Sequence, residues 1–120
     1  KEVNIRYETA GTLNADAFYQ NSDETLKDFH GDIDVDFDKI QSIPKKYYTW
    51  KGEEDGELQL GTSAQKLQEV YPELVGTNGE TLTVDYARLS IVALKAIDKL
   101  HEENQMLRNE LNEIKKHLGL

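Results

Sequence analysis

The spacing of apolar residues changes character several times along the chain. From Val3 to Ala17 apolar and polar positions alternate weakly (Val3, Ile5, Tyr7, then Leu13, Ala15 and Ala17, with Gly11 between), a period of two that predicts two short strands and a turn. Residues 32–38 alternate strictly as Asp-Ile-Asp-Val-Asp-Phe-Asp, which predicts an extended segment with Ile33, Val35 and Phe37 on one face, or such a strand running into a short helix through Asp38-Lys39-Ile40-Gln41. Pro44 stops any helix there. Lys46-Tyr47-Tyr48-Thr49-Trp50 and Glu57-Leu58-Gln59-Leu60, separated by Gly52-Glu53-Glu54-Asp55-Gly56, read as a hairpin. Thr62 or Ser63 can cap a helix from Ala64 to Val70 that Pro72 ends, with Leu67 and Val70 on one side. Asn78-Gly79 predicts a second small hairpin, between Glu73-Leu74-Val75 and Thr81-Leu82-Thr83-Val84.

The period then changes for the rest of the chain. Asp85 is a good N-cap, and neither Gly nor Pro recurs until Gly119, so residues 86–118 are expected to form one helix of about 33 residues, roughly 50 Å long. Ala93, Ile97, Leu100, Asn104, Leu107, Leu111, Ile114 and Leu118 are spaced alternately four and three apart, a 3.5-residue period. This places Ile97, Asn104, Leu111 and Leu118 at heptad position a, and Ala93, Leu100, Leu107 and Ile114 at d. Glu103 and Glu110 fall at g, and Arg108 and Lys115 at e, five residues on, so a g acid can meet an e base of a neighbouring parallel helix. The competing expectation, a long amphipathic helix folded back on its own domain, calls for a wider apolar stripe. Asn104 at a fixes register and parallel alignment at some cost in stability. The fold class expected is α+β: a small domain of hairpins and short helices, followed by a long C-terminal helix that forms a parallel coiled coil.

Composition supports self-association. Of 120 residues only 38% are hydrophobic, with one Trp and three Phe, and the long helix leaves little chain for a private core. The net charge of -9 is concentrated between residues 22 and 85, where 15 acids face 6 bases. Such a surface repels nucleic acid. No run of about 18 apolar residues is present to span a membrane. No secretory signal is visible, and the chain reads as excised from something longer. The absence of Cys excludes disulfides and thiolate metal sites. An EF-hand reading of the alternating Asp series fails, because Phe37 and Ile43 stand where a loop counted from Asp32 needs Gly and a bidentate Glu. No metal or other cofactor is expected.

Candidate chemistry sits at the junction between the strand-like leader and the compact part, in Asn21-Ser22-Asp23-Glu24-Thr25-Leu26-Lys27. A serine hydroxyl needs a base to become a nucleophile, and a lysine serves only when burial or nearby positive charge favours its neutral amine. A Ser five residues before a Lys is, by spacing alone, a weak signal, better read as an N-cap beside a solvated cation. Other candidates are weaker. Ser63 in Gly-Thr-Ser-Ala-Gln lacks the final Gly of a nucleophile elbow and suits a helix cap. His30 is an alternative base to Lys27, while His101 at e and His117 at g are expected to be solvated.

Ser22-Asp23 and Leu26-Lys27, together with several stretches downstream, resemble a known family. The segment resembles the Ser-Asp-x-x-Leu-Lys motif that opens the intramolecular chaperone domain of endosialidase-type phage tailspikes, tail fibres and neck appendages. That domain is also found in the myelin regulatory factor of animals. Tyr48-Thr49-Trp50-Lys51, Gly61 with Ala64-Gln65, Val70-Tyr71-Pro72-Glu73-Leu74-Val75, and Val84-Asp85-Tyr86 followed by Leu89, Ile91, Leu94, Ala96, Ile97 and Leu100 are similar to its later stretches, in the same order. Thr25 departs from the pattern, standing where the family often has Arg; Thr62-Ser63 replaces an apolar pair and Lys66 an acid. These departures bear on cleavage efficiency more than on fold.

The resemblance implies a homotrimer whose Ser22 and Lys27 act as nucleophile and base in cutting the Asn21-Ser22 bond. It implies further that residues 1–21 are the end of an upstream fibre or stalk, both substrate and client of the domain. Residues 22–120 are then the chaperone domain, with 86–118 its coiled-coil helix. Ile97, Leu100, Asn104, Leu107, Leu111, Ile114 and Leu118 would hold the trimer. Assembly and release would take place in the host cytoplasm during virion assembly, the mature fibre remaining in the virion. The alternative is a trimerisation module or adhesin tip that stays attached, with Ser22 an ordinary cap.

Overall fold

The computed structural model describes residues 15–120; most of the strand-like leader, from Val3 to Leu13, lies outside them. Ala15 and Ala17, expected in the second strand, have no regular secondary structure. The described elements run in the order 3-10 turn (Glu24–Leu26), α1 (Phe37–Ser42), β1 (Lys46–Tyr48), β2 (Gln59–Gly61), α2 (Ala64–Val70), 3-10 turn (Pro72–Leu74), β3 (Val75–Asn78), β4 (Thr81–Val84) and α3 (Tyr86–His117). This is the α+β class the spacing predicts.

Each helix begins on a side-chain cap. Ser63 accepts from the Lys66 amide at 3.2 Å and Asp85 from the Arg88 amide at 3.0 Å, relieving amides that have no partner in the first helical turn. The first hairpin pairs β1 with β2 antiparallel, Lys46 opposite Gly61 and Tyr48 opposite Gln59. Gly61 is required there by crowding: a Cβ would come within 2.8 Å of the Tyr48 ring and 2.9 Å of the Tyr86 hydroxyl. The second hairpin pairs Val75 with Val84 through Asn78 with Thr81, and Gly79 at φ 65° makes its turn, as Asn-Gly predicts. Glu73 and Leu74, expected in its first strand, instead form a 3-10 turn, because Pro72 sets a helical φ at its first position.

The alternating acidic segment is the main departure from expectation. No strand forms before Phe37 among the described residues. The two hairpins are separate two-stranded sheets, so residues 32–36 have no strand to pair with. Their own side chains also compete for the backbone: Asp34 accepts from the Val35 amide at 2.9 Å, and Asp36 caps α1 through the Asp38 amide at 2.8 Å. Only the helical half of the expectation holds. Val35 is buried and Phe37 half-buried, whereas Ile33 is exposed.

The core is small. Val35, Ile43, Leu67, Tyr71, Leu74, Val92 and Ala96 are its buried members, with Leu67 fully enclosed. Val92 and Ala96 show that the first turns of α3 pack on the domain, so the competing expectation of a helix folded onto its own domain applies to this end alone. Beyond Leu100 the helix leaves the body. A radius of gyration of 20.2 Å, against about 13 Å for a compact chain of some 100 residues, records that projection.

Candidate active site

Residues 22–27 form one tight turn. Asp23 caps it, accepting the Thr25 amide at 2.9 Å and the Thr25 hydroxyl at 2.7 Å. The Leu26 amide donates to the Asp23 carbonyl and the Lys27 amide to the Glu24 carbonyl, each at 3.1 Å. The bond from the Thr25 hydroxyl, and then that from its amide, hold the Asp23 carboxyl below its ordinary value, because both favour the charged form. The turn brings Lys27 back towards its own start, and Lys27 Nζ donates to Ser22 Oγ at 2.5 Å.

Thr25 therefore has a part that sequence reasoning missed. It departs from the family pattern, yet its hydroxyl helps close the turn that joins Ser22 to Lys27. The signal was present: an Asp followed two residues later by Thr is the composition of a side-chain-capped turn. Asn21, on the other side of the candidate scissile bond, is exposed, as are Ser22 and Lys27. His30 is exposed as well and takes no part in the contact. Ser63 is the α2 cap. His101 meets Gln105 at 3.3 Å on the outside of α3, and His117 is exposed on its last turn. Among the described residues no cluster of three acids or histidines converges as a metal site, and no helix is long and apolar enough to cross a membrane.

A second cation reaches the segment downstream of this pair. Lys99, from α3, donates to the Val35 carbonyl at 2.7 Å and stands 4.9 Å from the centre of the Phe37 ring. The chain leaving the candidate site is thus tied to the long helix at Val35.

Six of the seven coiled-coil residues, Ile97, Leu100, Leu107, Leu111, Ile114 and Leu118, are 49–67% exposed in the single chain, and Asn104 among them is also exposed. Glu103, Glu110, Arg108 and Lys115 make none of the ion pairs among the described residues. The helix thus displays an exposed apolar seam flanked by charges that form no ion pair among the described residues.

A small α+β head with a lysine amine on a serine hydroxyl beside a peptide bond is joined to a projecting helix with an exposed apolar seam, and the head carries a candidate Ser-Lys site. Residues 22–76 match a peptidase family described as the chaperone of endosialidase, and this segment is an endosialidase-type chaperone domain. The match begins at Ser22 and runs through α1, the first hairpin and α2 into β3; α3 lies beyond it. No curated protein matches the chain.

Proposed function

We propose that residues 22–120 act as a C-terminal intramolecular chaperone that trimerises, sets the register of a fibre or spike ending at Asn21, and then cuts itself off at the Asn21-Ser22 bond. The observation that carries the reading is the contact of Lys27 Nζ with Ser22 Oγ, made by the first residue of the matched family segment. In the proposed reaction Ser22 Oγ bonds to the Asn21 carbonyl carbon as Lys27, in its neutral form, takes the hydroxyl proton. The C–N bond then breaks, its nitrogen takes that proton, and the resulting ester is hydrolysed by water. The substrate is covalently positioned, so the reaction runs once per chain.

The exposed seam of α3 supports the assembly half. Three long strands can pair in many near-equivalent registers, and joining distant ends costs entropy. A parallel helix bundle at one end raises the effective concentration of the others and aligns them. Removing the bundle afterwards leaves a stalk that is kinetically locked. The upstream stalk is client and substrate, and assembly is assigned to the host cytoplasm.

The test is the intact mass of a chain extended upstream of Lys1, beside Ser22→Ala and Lys27→Ala variants, with native mass measured in parallel. Two fragments meeting at Asn21 and Ser22 in the parent, and uncut trimers in both variants, are expected. An uncut trimeric parent would instead make this a permanent trimerisation module or adhesin tip. Efficient cutting by Lys27→Ala would remove Lys27 from the site.

A further inference from the structure

The helix α3 carries more apolar surface beside its head than a coiled-coil seam uses. Continuing the heptads back from Ile97 places Leu89 and Ala96 at g, Val92 at c, Ile91 at b and Leu94 at e. The c and g residues face the chain's own body: Val92 and Ala96 are buried and Leu89 is half-buried. The b and e residues lie on the opposite flank of the seam, where Ile91 is 54% and Leu94 58% exposed. Below the head the same two positions turn polar, as Asp98, His101, Gln105, Arg108, Asn112 and Lys115. The apolar b/e face is confined to the level of the body.

On the g side, at that level, an apolar groove of about 600 Å³ opens between α3 and the first hairpin, with Ile40, Tyr47, Leu60, Tyr86, Leu89 and Ala93 in its wall. Tyr47 and Leu60 at its lip are 70% and 76% exposed. In a parallel bundle the g residue of one helix meets the e residue five positions on in the next. Glu103 then meets Arg108 and Glu110 meets Lys115; by the same rule Leu89, in the groove wall, meets Leu94. The pairing changes from ionic to apolar where each chain carries its head.

We infer that this groove is a docking site for a second copy of the chain, filled by Leu94 with Ile91 alongside it, so that each head clasps the neighbouring α3 around the ring. The inference rests on the parallel trimer proposed above. It gives the uncovered b/e face a partner that carries a matching cavity at the same height, and it makes the head, as well as the stem, part of the assembly.

The chain has no Cys of its own, so the full chain carrying Leu60→Cys and Leu94→Cys, both at exposed positions, can be treated with a short bis-maleimide. A covalent trimer on a denaturing gel is expected, and its absence when Arg88→Cys, at an outward f position, replaces Leu94→Cys. Without cross-linker, Leu94→Lys should raise the chain concentration needed for assembly by at least roughly tenfold, while Arg88→Ala leaves it unchanged. A parent that is trimeric by native mass, but gives no covalent species specific to the 60/94 pair, would overturn the groove assignment alone. A parent that is not trimeric would overturn the groove assignment together with the trimer it rests on.

Discussion

Replacing Lys99 by Met tests how the segment carrying Ser22 and Lys27 is fastened to the long helix. The methionine keeps most of the aliphatic stem but removes the ammonium, which donates to the Val35 carbonyl at 2.7 Å and lies 4.9 Å from the centre of the Phe37 ring. A hydrogen bond from a charged donor contributes about 1.5–3 kcal/mol, and a cation over an aromatic ring about 0.5–1 kcal/mol at a wetted site. Val35 is 3% exposed, so its carbonyl has poor access to replacement water. Lys99 itself is half-buried, which favours the lower end of both ranges. The head should therefore lose about 2 kcal/mol. Urea unfolding at fixed chain concentration measures it, as a lower midpoint at unchanged slope. Lys99→Arg, which keeps the charge, should recover at least half of the loss. Because Lys99 falls at position c, off the seam, native mass should not change. A Met variant within about 0.5 kcal/mol of the parent, the ordinary range for surface substitutions, would refute the claim that this bond anchors Val35.

Three further outcomes concern the head. Leu67→Ala, at a fully enclosed side chain of the core, should cost about 2–5 kcal/mol in the same assay. Burial pushes the Tyr71 phenol up, and the charges of Asp36, Glu73 and Asp34 add to this; its contribution to stability is thus complete below the ordinary tyrosine value of 10.0 and is lost as pH rises through the higher folded value. Thermal unfolding between about pH 9 and 11 should show that alkaline loss, and Tyr71→Phe should reduce it. Thr25→Val removes the hydroxyl bond to Asp23 but leaves the backbone cap; it should slow the proposed cleavage severalfold without altering native mass, read as the half-life of the intact extended chain. Restoration of the parent rate by Thr25→Ser would separate loss of the hydroxyl from loss of shape.

The parts of the fold legible in the sequence are those whose determinants are local. Asp85 and Ser63 announce their helices because a cap acts within three residues, and Asn78-Gly79 announces its turn because few other pairs adopt that backbone. The long helix is legible from its 3.5 period. The same period conceals the contact made by Val92 and Ala96: a seam assigned to a and d draws the eye away from c and g, which face a body formed by distant chain. The acidic run does not form the strand its spacing suggests, because alternation specifies which side chains share a face, not whether another strand is present to pair with. Asp34 and Asp36 take local amides, and Val35 finds its partner 64 residues away on Lys99. Ser22 and Lys27 are picked out by their likeness to a family motif. What the spacing could not supply is the closure of the turn, which depends on Asp23 and Thr25 acting together.

That closure bears on how the proposed cleavage could wait for assembly. The contact between Lys27 and Ser22 forms within one chain, so trimerisation is not needed to place the two groups. Both are exposed in that chain, and a lysine acts as base only as a neutral amine, a form that removal from water favours. Exclusion of water is therefore the step left for assembly to perform. Leu26 and Phe29, which bracket Lys27, are 79% and 74% exposed; covering them in the assembled head would dehydrate the amine between them. Two routes to an inactive chain then separate. A Leu94→Lys chain should cut slowly only because it is dissociated, and should recover when its concentration is raised enough to restore the trimer, whereas Lys27→Ala should stay uncut at any concentration. If Leu94→Lys cut at the parent rate while dissociated, the single chain would already supply all that the reaction needs, and assembly would have no part in its timing.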